Sequence, residues 1–182
     1  MIDKHHIVTI FGSSHPKEGD EDYKLAYELG KELALAGFVI CNGGYGGTME
    51  ASARGAKEAG GKTMGITFAN PFGRTANAWI DEELMQSTLV NRLMKLIELG
   101  DAYIVLKGGT GTLLEFAAIW EFMNKHLLKE KPIILLGNFW MNVVRLIVDE
   151  VYRETSKDSM KYIHCVQSPR ECVTFLKTLI CV

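Results

Sequence analysis

The chain has 182 residues, of which 47% are hydrophobic and 23% are charged. These proportions are ordinary for a globular protein and exclude an intrinsically disordered chain, and the length suits one domain with a full core. The formal charge of −2 leaves no large basic field, so we expect neither nucleic acid nor a membrane surface as a partner. The four cysteines show no zinc-binding spacing, the start of the chain does not read as a signal peptide, and no apolar run reaches membrane-spanning length, so we expect a cytoplasmic protein without a metal ion.

Apolar runs of strand length alternate with amphipathic runs of helix length. Strands are predicted at residues 6–11, 38–41, 62–67, 102–106, 132–136 and 162–166. Helices are predicted at about residues 20–36, 48–59, 81–99, 112–126 and 140–153, and a last helix is opened by Ser168 and Pro169. This alternation predicts one Rossmann-like α/β domain over residues 1–182, a doubly wound parallel sheet of about six strands with helices on both faces.

Two glycine-rich turns each follow a predicted strand and open a predicted helix. They read NGGYGGTME at residues 42–50 and KGGTGTLLE at residues 107–115. A glycine turn before a helix directs unpaired backbone N–H groups and the positive end of the helix dipole at one point, which is how many proteins hold phosphate. Each turn is also followed by a carboxylate, Glu50 or Glu115. The sequence therefore predicts a phosphorylated small molecule as the ligand, with Glu115 as the first candidate for chemistry on it.

Sheet topology predicts that these turns meet. In the common doubly wound strand order 3-2-1-4-5-6, the strands at residues 7–11 and 103–106 are neighbours, and their carboxyl ends flank a ligand crevice. The turn after the first strand should then face the second glycine turn, with the first glycine turn beside them. We expect substrate and phosphate contacts from Gly12, Ser13, Ser14, Gly43, Gly44, Gly46, Gly47, Thr48, Lys107, Gly108, Gly109, Thr110, Gly111 and Thr112.

Other nucleotide and cofactor sites are disfavoured. A dinucleotide site needs GxGxxG after the first strand and an acidic residue ending the second, but the second strand ends in Cys41 and Asn42. The tripeptide at residues 61–63 ends like a P-loop, but Ala56 stands where the first P-loop glycine is required. No lysine stands in a recognisable context for anchoring pyridoxal phosphate.

From Arg92 through Glu115 the chain resembles the Lonely guy (LOG) family, long mislabelled as lysine decarboxylases. The family's Gly-Ser-Ser turn appears at residues 12–14, and its PGGxGTxxE signature appears at residues 107–115, with Lys107 in place of the proline. Arg92 stands nine residues before Asp101, the interval that the family keeps between its catalytic arginine and the following strand. The resemblance covers nearly the whole chain.

The resemblance implies a nucleoside 5′-monophosphate phosphoribohydrolase. Such an enzyme cleaves the N-glycosidic bond of a purine-type nucleotide, with cytokinin riboside monophosphates among the candidates, to free base and ribose 5-phosphate, without metal or organic cofactor. Glu115 would stabilise the ribosyl cation or position water, and Arg92 would orient the substrate. The family also implies a homodimer or higher homo-oligomer. Because Lys107 and Asn91 depart from the family pattern, a protein that binds or senses a nucleotide without cleaving it is the alternative.

The same residues also have purely structural interpretations. Thr112 and Glu115 have the spacing of a helix capping box, in which the glutamate would bond the Thr112 backbone N–H. Arg92 alone suits a solvated helix residue or a surface ion pair, and the glycines and serines of the turns suit simple turn formation. We further expect core or pocket positions for Met49, Met85 and Met94, packing roles for Trp120 and Trp140, and exposed positions for His15 and His126.

Overall fold

The computed structural model describes residues 6–69, 73, 75–150 and 160–180. Its strands are β1 (Ile7–Phe11), β2 (Val39–Asn42), β3 (Thr63–Gly65), β4 (Glu82–Glu83), β5 (Ala102–Val105), β6 (Ile133–Leu136) and β7 (Ile163–Val166). Its helices are α1 (Glu21–Leu35), α2 (Thr48–Glu58), α3 (Leu89–Leu99), α4 (Thr110–Asn124), α5 (Phe139–Glu150) and α6 (Pro169–Ile180). The predicted helix end beyond residue 150 lies outside the described residues.

The strands form one parallel sheet in the order β4-β3-β2-β1-β5-β6-β7. This confirms the predicted α/β architecture and the predicted pairing of β1 with β5, in which Phe11 lies opposite Val105. The described part of the chain contains seven strands rather than about six, because β4 adds a short edge strand beside β3.

The extra strand lies where the sequence predicted the start of a long helix. Helix α3 begins only at Leu89, because Thr88 is its N-cap and the Thr88 Oγ1 accepts a hydrogen bond from the Asn91 N–H at 3.1 Å. The prediction of a helix from residue 81 was therefore wrong by about two turns. The residues before the cap pair with β3 instead.

Two apolar layers cover the sheet. One layer packs the inward sides of α1, α2 and α6 against alternate strand residues, such as Ile10 and Ile104. The other layer packs α3, α4 and α5 against the intervening residues, such as Phe11 and Tyr103. Because the strands other than the exposed edge strand β4 are covered on both faces, they are largely apolar, as the sequence pattern predicted. No helix in the described part of the chain has the length and apolarity that a membrane crossing requires.

Strand β1 lies at the centre of the sheet and fixes the place of the site. It pairs with β2 on one side and with β5 on the other, and the helices that follow these neighbours, α2 and α4, pack on opposite faces of the sheet. Each of the three strands ends at the same edge and is followed by a turn containing glycine. A crevice at this edge is the common ligand position in doubly wound sheets.

Candidate active site

A cleft of about 290 Å³ opens at the carboxyl ends of β1, β2 and β5. The predicted convergence of three distant turns is found there, since residues from all of them line the cleft. The lining residues are Ile10, Phe11, Gly12, Ser13, Ser14, His15, Gly43, Tyr45, Met49, Phe68, Arg92, Gly109, Thr110, Gly111, Thr112 and Glu115.

The amino terminus of α4 is open to this cleft. The helix begins at Thr110 after Gly109, which is its N-cap and makes no side-chain capping bond. Gly109, Thr110 and Gly111 are all exposed, and the Leu113 N–H makes the first helical bond, to the Gly109 carbonyl, at 2.9 Å. The amides before Leu113 have no acceptor within the helix and lie at its positive end. This terminus is therefore suited to an anionic group.

The amino terminus of α2 is already occupied by the protein itself. The Thr48 backbone N–H and its Oγ1 hydroxyl both donate to the Ser13 carbonyl, at 2.8 and 3.1 Å, and Thr48 is buried. Gly47 has a φ of 71°, and a Cβ on it would lie 2.3 Å from the same carbonyl. The start of α2 therefore packs against the turn after β1, and the Thr48 amide is used within the protein. Contrary to our expectation, Gly44, Gly46, Gly47 and Thr48 lie outside the cleft lining.

Two residues of the second glycine turn also lie outside the cleft. Lys107 and Gly108 line an adjoining hollow, which shares Ser13 and His15 with the cleft. The Lys107 Nζ lies 3.2 Å from Asp22 Oδ2, and this ion pair draws the side chain away from the cleft. Lys107 and Gly108 therefore border the cleft rather than line it, and their phosphate contacts stay a prediction.

Arg92 projects from α3 into the cleft and is held on several sides. Its Nε donates to the Ile66 carbonyl at 2.7 Å, and its Nη2 lies 3.9 Å from the Met49 sulfur. The guanidinium carbon lies 5.6 Å from the centre of the Tyr45 ring. Since only 8% of the residue is exposed, the solvated surface role does not apply.

Glu115 lies beside Arg92 in the cleft, and its Oε1 is 3.6 Å from the Arg92 Nη1. The predicted capping box does not form, because α4 begins before Thr112 and the N-cap is Gly109. The Glu115 side chain is 14% exposed, and burial raises its pKa to about 7, although the nearby Arg92 charge lowers it. A carboxyl group with this pKa is poised to gain or lose a proton near neutral pH.

This chain is similar in sequence to a known family and to curated proteins. Residues 5–173 match the sequence profile of the SLOG cluster4 family. The chain belongs to the SLOG cluster4 family. A Mycobacterium tuberculosis protein named cytokinin riboside 5′-monophosphate phosphoribohydrolase is 31% identical over 147 residues, which cover 74% of this chain and 76% of that protein. The resemblance to the LOG family is thereby confirmed, and a hydrolase of that family is supported.

Solved structures share the fold of this SLOG cluster4 protein over almost its full length. The molybdenum cofactor binding protein from Rippkaea orientalis is 26% identical with a TM-score of 0.78, and the match covers 98% of this chain and 99% of that one. The X-ray structure of TM1055 also has a TM-score of 0.78, at 24% identity, and the match covers 96% of this chain and 99% of that one. The fold alone is shown by this second likeness.

The lining residues that were not predicted as ligand contacts include His15, Tyr45 and Phe68. His15 follows the turn after β1, and its backbone N–H donates to Ser13 Oγ at 3.1 Å. The Tyr45 hydroxyl donates to the Phe68 carbonyl at 3.3 Å and accepts from the Phe68 N–H at 3.2 Å. All three residues lie at or near the carboxyl ends of central strands, and that position was the signal that could have found them.

The methionine expectations are met only in part. Met49 is buried and lines the cleft, whereas 63% of Met85 and 45% of Met94 are exposed. Trp120 and Trp140 are buried in the core, and His15 and His126 are exposed, as expected.

The cleft therefore combines three chemical environments. A helix amino terminus offers amides to an anion, a carboxyl group and a guanidinium lie beside it, and Tyr45, Met49 and Phe68 form an apolar side. Within the described residues, no group of three or more His, Cys, Asp or Glu side chains could hold a metal ion. The arrangement suits a phosphorylated molecule that carries a planar ring.

Proposed function

We propose that this SLOG cluster4 protein hydrolyses the N-glycosidic bond of a purine-type nucleoside 5′-monophosphate, releasing the free base and ribose 5-phosphate. The observation that carries the proposal is the buried pair of Arg92 and Glu115 beside the open amino terminus of α4. The name of the Mycobacterium tuberculosis relative supports the same reaction, with cytokinin riboside monophosphates among the candidate substrates.

The 5′-phosphate would bind at residues 109–112, with the turn at residues 12–14 closing over it. Glu115 lies in the next turn of the same helix, so a phosphate held at the helix end directs the ribose towards its carboxylate. Binding energy from the phosphate is thereby used to align the reacting bond, which is far from the phosphate itself.

In the chemical step, the bond between C1′ and the base nitrogen breaks, and its electron pair leaves with the base. The ribose carries positive charge in the transition state, and the ionised Glu115 carboxylate stabilises this charge or accepts a proton from the attacking water. The water oxygen bonds to C1′, and the water proton ends on the departing base. Arg92 remains protonated throughout, so it orients the substrate and offsets negative charge on the base.

The direct test follows base release from AMP and from N6-modified analogues by chromatography. Glu115→Gln should lower kcat about a hundredfold or more, since it removes a group that acts on the transition-state charge. Glu121→Gln is the matched control, because Glu121 lies on the same helix, is exposed and pairs with Lys125. Full activity in the Glu115→Gln variant would exclude the role given to this carboxylate.

The second candidate is binding of a phosphorylated heterocycle without cleavage. It is favoured by the molybdenum cofactor binding protein of Rippkaea orientalis, which is 26% identical over almost the whole chain. Calorimetric binding of AMP with no base released over hours would select this function over hydrolysis.

We also propose that the chain associates with itself in the cytoplasm. Helices α3 and α4, which carry Arg92 and Glu115, also expose apolar side chains to solvent. These are Leu89, Val90, Met94, Leu113 and Leu114, each between 41% and 66% exposed. Surfaces of this kind are commonly covered in oligomers. The free thiols of Cys41, Cys165 and Cys172 suit a reducing compartment.

A further inference from the structure

Gly43 lies directly against the Arg92 guanidinium, just after β2. A Cβ built on Gly43 would lie 1.6 Å from Arg92 Nη2 and 2.9 Å from Arg92 Cζ. Nonbonded heavy atoms pack best at about 3.5–4.0 Å, so the guanidinium and a side chain at this position cannot both occupy the space. The space that a side chain would fill is therefore taken by Arg92.

The backbone itself does not require glycine at this position. Positive φ angles in this turn belong to Gly44 at 75° and Gly47 at 71°, and Gly43 is outside that region. An alanine could adopt the Gly43 conformation without strain in its own backbone. An alanine at position 43 is excluded mainly by the neighbouring arginine. The built Cβ also lies 2.7 Å from the Met49 sulfur, but this sulfur belongs to a flexible side chain that can move.

Arg92 has little room to give way while keeping its contacts. Its Nε is hydrogen bonded to the Ile66 carbonyl at 2.7 Å, and the Tyr45 ring lies 5.6 Å from its guanidinium carbon. A methyl group on residue 43 would have to displace Nη2 by about 2 Å to reach ordinary packing distance. The Nη1 nitrogen, which lies 3.6 Å from Glu115 Oε1, belongs to the same rigid plane and would move with it.

We propose that Gly43 is a positioning residue, whose missing side chain is the space that holds the Arg92 guanidinium against Glu115. The structural part of this proposal stands on the geometry alone. Its effect on catalysis rests on the proposed function. The sequence predicted Gly43 as a phosphate contact, and its position against Arg92 gives it a task that the sequence did not predict.

The sensitive reporter is the Glu115 carboxyl group. Burial raises its pKa to about 7 against the lowering effect of Arg92, so a displaced guanidinium should raise this pKa further. His15 and Tyr45 are the other titratable side chains that line the cleft, and neither is altered in the variants below. The pKa is read by carbon-13 NMR of the glutamate carboxyl groups in the ligand-free protein, with Glu115→Gln to assign the signal.

The experiment is a double-mutant cycle of Gly43→Ala and Arg92→Ala. Each single variant should raise the pKa of Glu115, and the double variant should match Arg92→Ala alone, because the methyl group then enters vacated space. Gly46→Ala is the control in the same turn, since a Cβ there meets only Glu50 Oε2, at 3.9 Å. It should leave the pKa of Glu115 unchanged.

Thermal unfolding supplies a second reading of the same cycle. Gly43→Ala should lower the melting temperature in the wild-type background and not in the Arg92→Ala background. If Gly43→Ala is too unstable to titrate, the double variant should still fold, and its melting temperature is then compared with that of Arg92→Ala. An equal loss in both backgrounds, or an unchanged pKa of Glu115 in Gly43→Ala, would overturn the proposal, since the glycine would then serve only the turn.

Activity adds a reading that depends on the proposed function. Gly43→Ala should lower kcat for AMP about a hundredfold, as expected for a misplaced catalytic group. If neither the wild type nor any variant releases base, the proposed function fails. The double-mutant cycles read by NMR and by thermal unfolding still decide the role of Gly43.

Discussion

Glu115 is a carboxylic acid whose ionisation depends on its burial beside Arg92. Its pKa is raised to about 7, and only the ionised form can stabilise a ribosyl cation. We therefore expect kcat/KM for AMP to rise about tenfold per pH unit below pH 7 and to level off above it. A rate profile between about pH 5 and about pH 9 measures this. A profile that falls or stays flat as the pH rises through 7 would contradict the assigned role.

The same raised pKa makes the stability of the fold depend on pH. Between the usual glutamate value of 4.5 and the folded value of about 7, the folded protein holds a proton at Glu115 that the unfolded chain has lost. The free energy of unfolding should therefore fall by up to about 3 kcal/mol as the pH rises through this window. Urea unfolding at about pH 5 and about pH 8 should show this fall in the wild type, and Glu115→Gln should lack it. Identical pH dependence in both proteins would place the carboxyl in a more solvated environment than the structure shows.

At the scale of elements, two helices with similar leading sequences have different tasks. The start of α2 is closed by its bonds to the Ser13 carbonyl, whereas the start of α4 faces the cleft. At the α4 N-cap, Gly109 has a φ of −93°, and a Cβ on it meets nothing within 4 Å. An aspartate there fits the helix but competes with a bound anion.

Gly109→Asp should consequently separate stability from ligand binding. We expect the free energy of unfolding to rise by about 0.5 kcal/mol, because aspartate is a better N-cap than glycine and restricts the unfolded chain. Affinity for AMP should fall at least about tenfold, because the new carboxylate repels the phosphate from the helix end. Gly109→Asn is the uncharged control and should bind AMP more tightly than the aspartate variant does. Calorimetry and urea unfolding provide both quantities, and unchanged affinity in Gly109→Asp would remove α4 as the phosphate site.

The elements also show what the sequence could and could not predict. Six of the described strands and the meeting of three turns followed from apolar runs and from the rules of parallel sheets, whereas β4 did not. The presence of Arg92 and Glu115 in one site followed from the family resemblance, and their ion pair is a finding of the structure. The bonds of Thr48 to Ser13 and of Lys107 to Asp22 did not follow from the sequence, because they join segments whose approach depends on the folded backbone. The local sequence of a helix start does not distinguish amides that bind a ligand from amides that bond to a neighbouring loop.

At the scale of the whole molecule, the exposed apolar side chains of α3 and α4 lie on the two helices that carry Arg92 and Glu115. Val90 and Met94 are four residues apart on α3 and are 66% and 45% exposed. Replacing them together as Val90→Glu and Met94→Lys puts two charges into this apolar surface, and the new ion pair favours the helix itself. We expect a dimer in the wild type and a monomer in this double variant, measured by analytical ultracentrifugation.

Leu35→Lys is the control for this change, since Leu35 is 64% exposed at the end of α1, on the other side of the sheet. It should leave the association state as it is in the wild type. A monomeric wild type, or a double variant that still forms dimers, would contradict the assembly proposed for this surface.

The central claim is that one cleft binds the nucleotide phosphate at the start of α4 and brings C1′ of the ribose to residue 115. A crystal structure of the Glu115→Gln variant with AMP tests it most directly. The predicted result is phosphate on the amides of residues 110–112, C1′ within contact of the residue 115 side chain, and the base beside Arg92. A phosphate bound at the start of α2, in the hollow beside Lys107, or with the ribose turned away from residue 115 would contradict it.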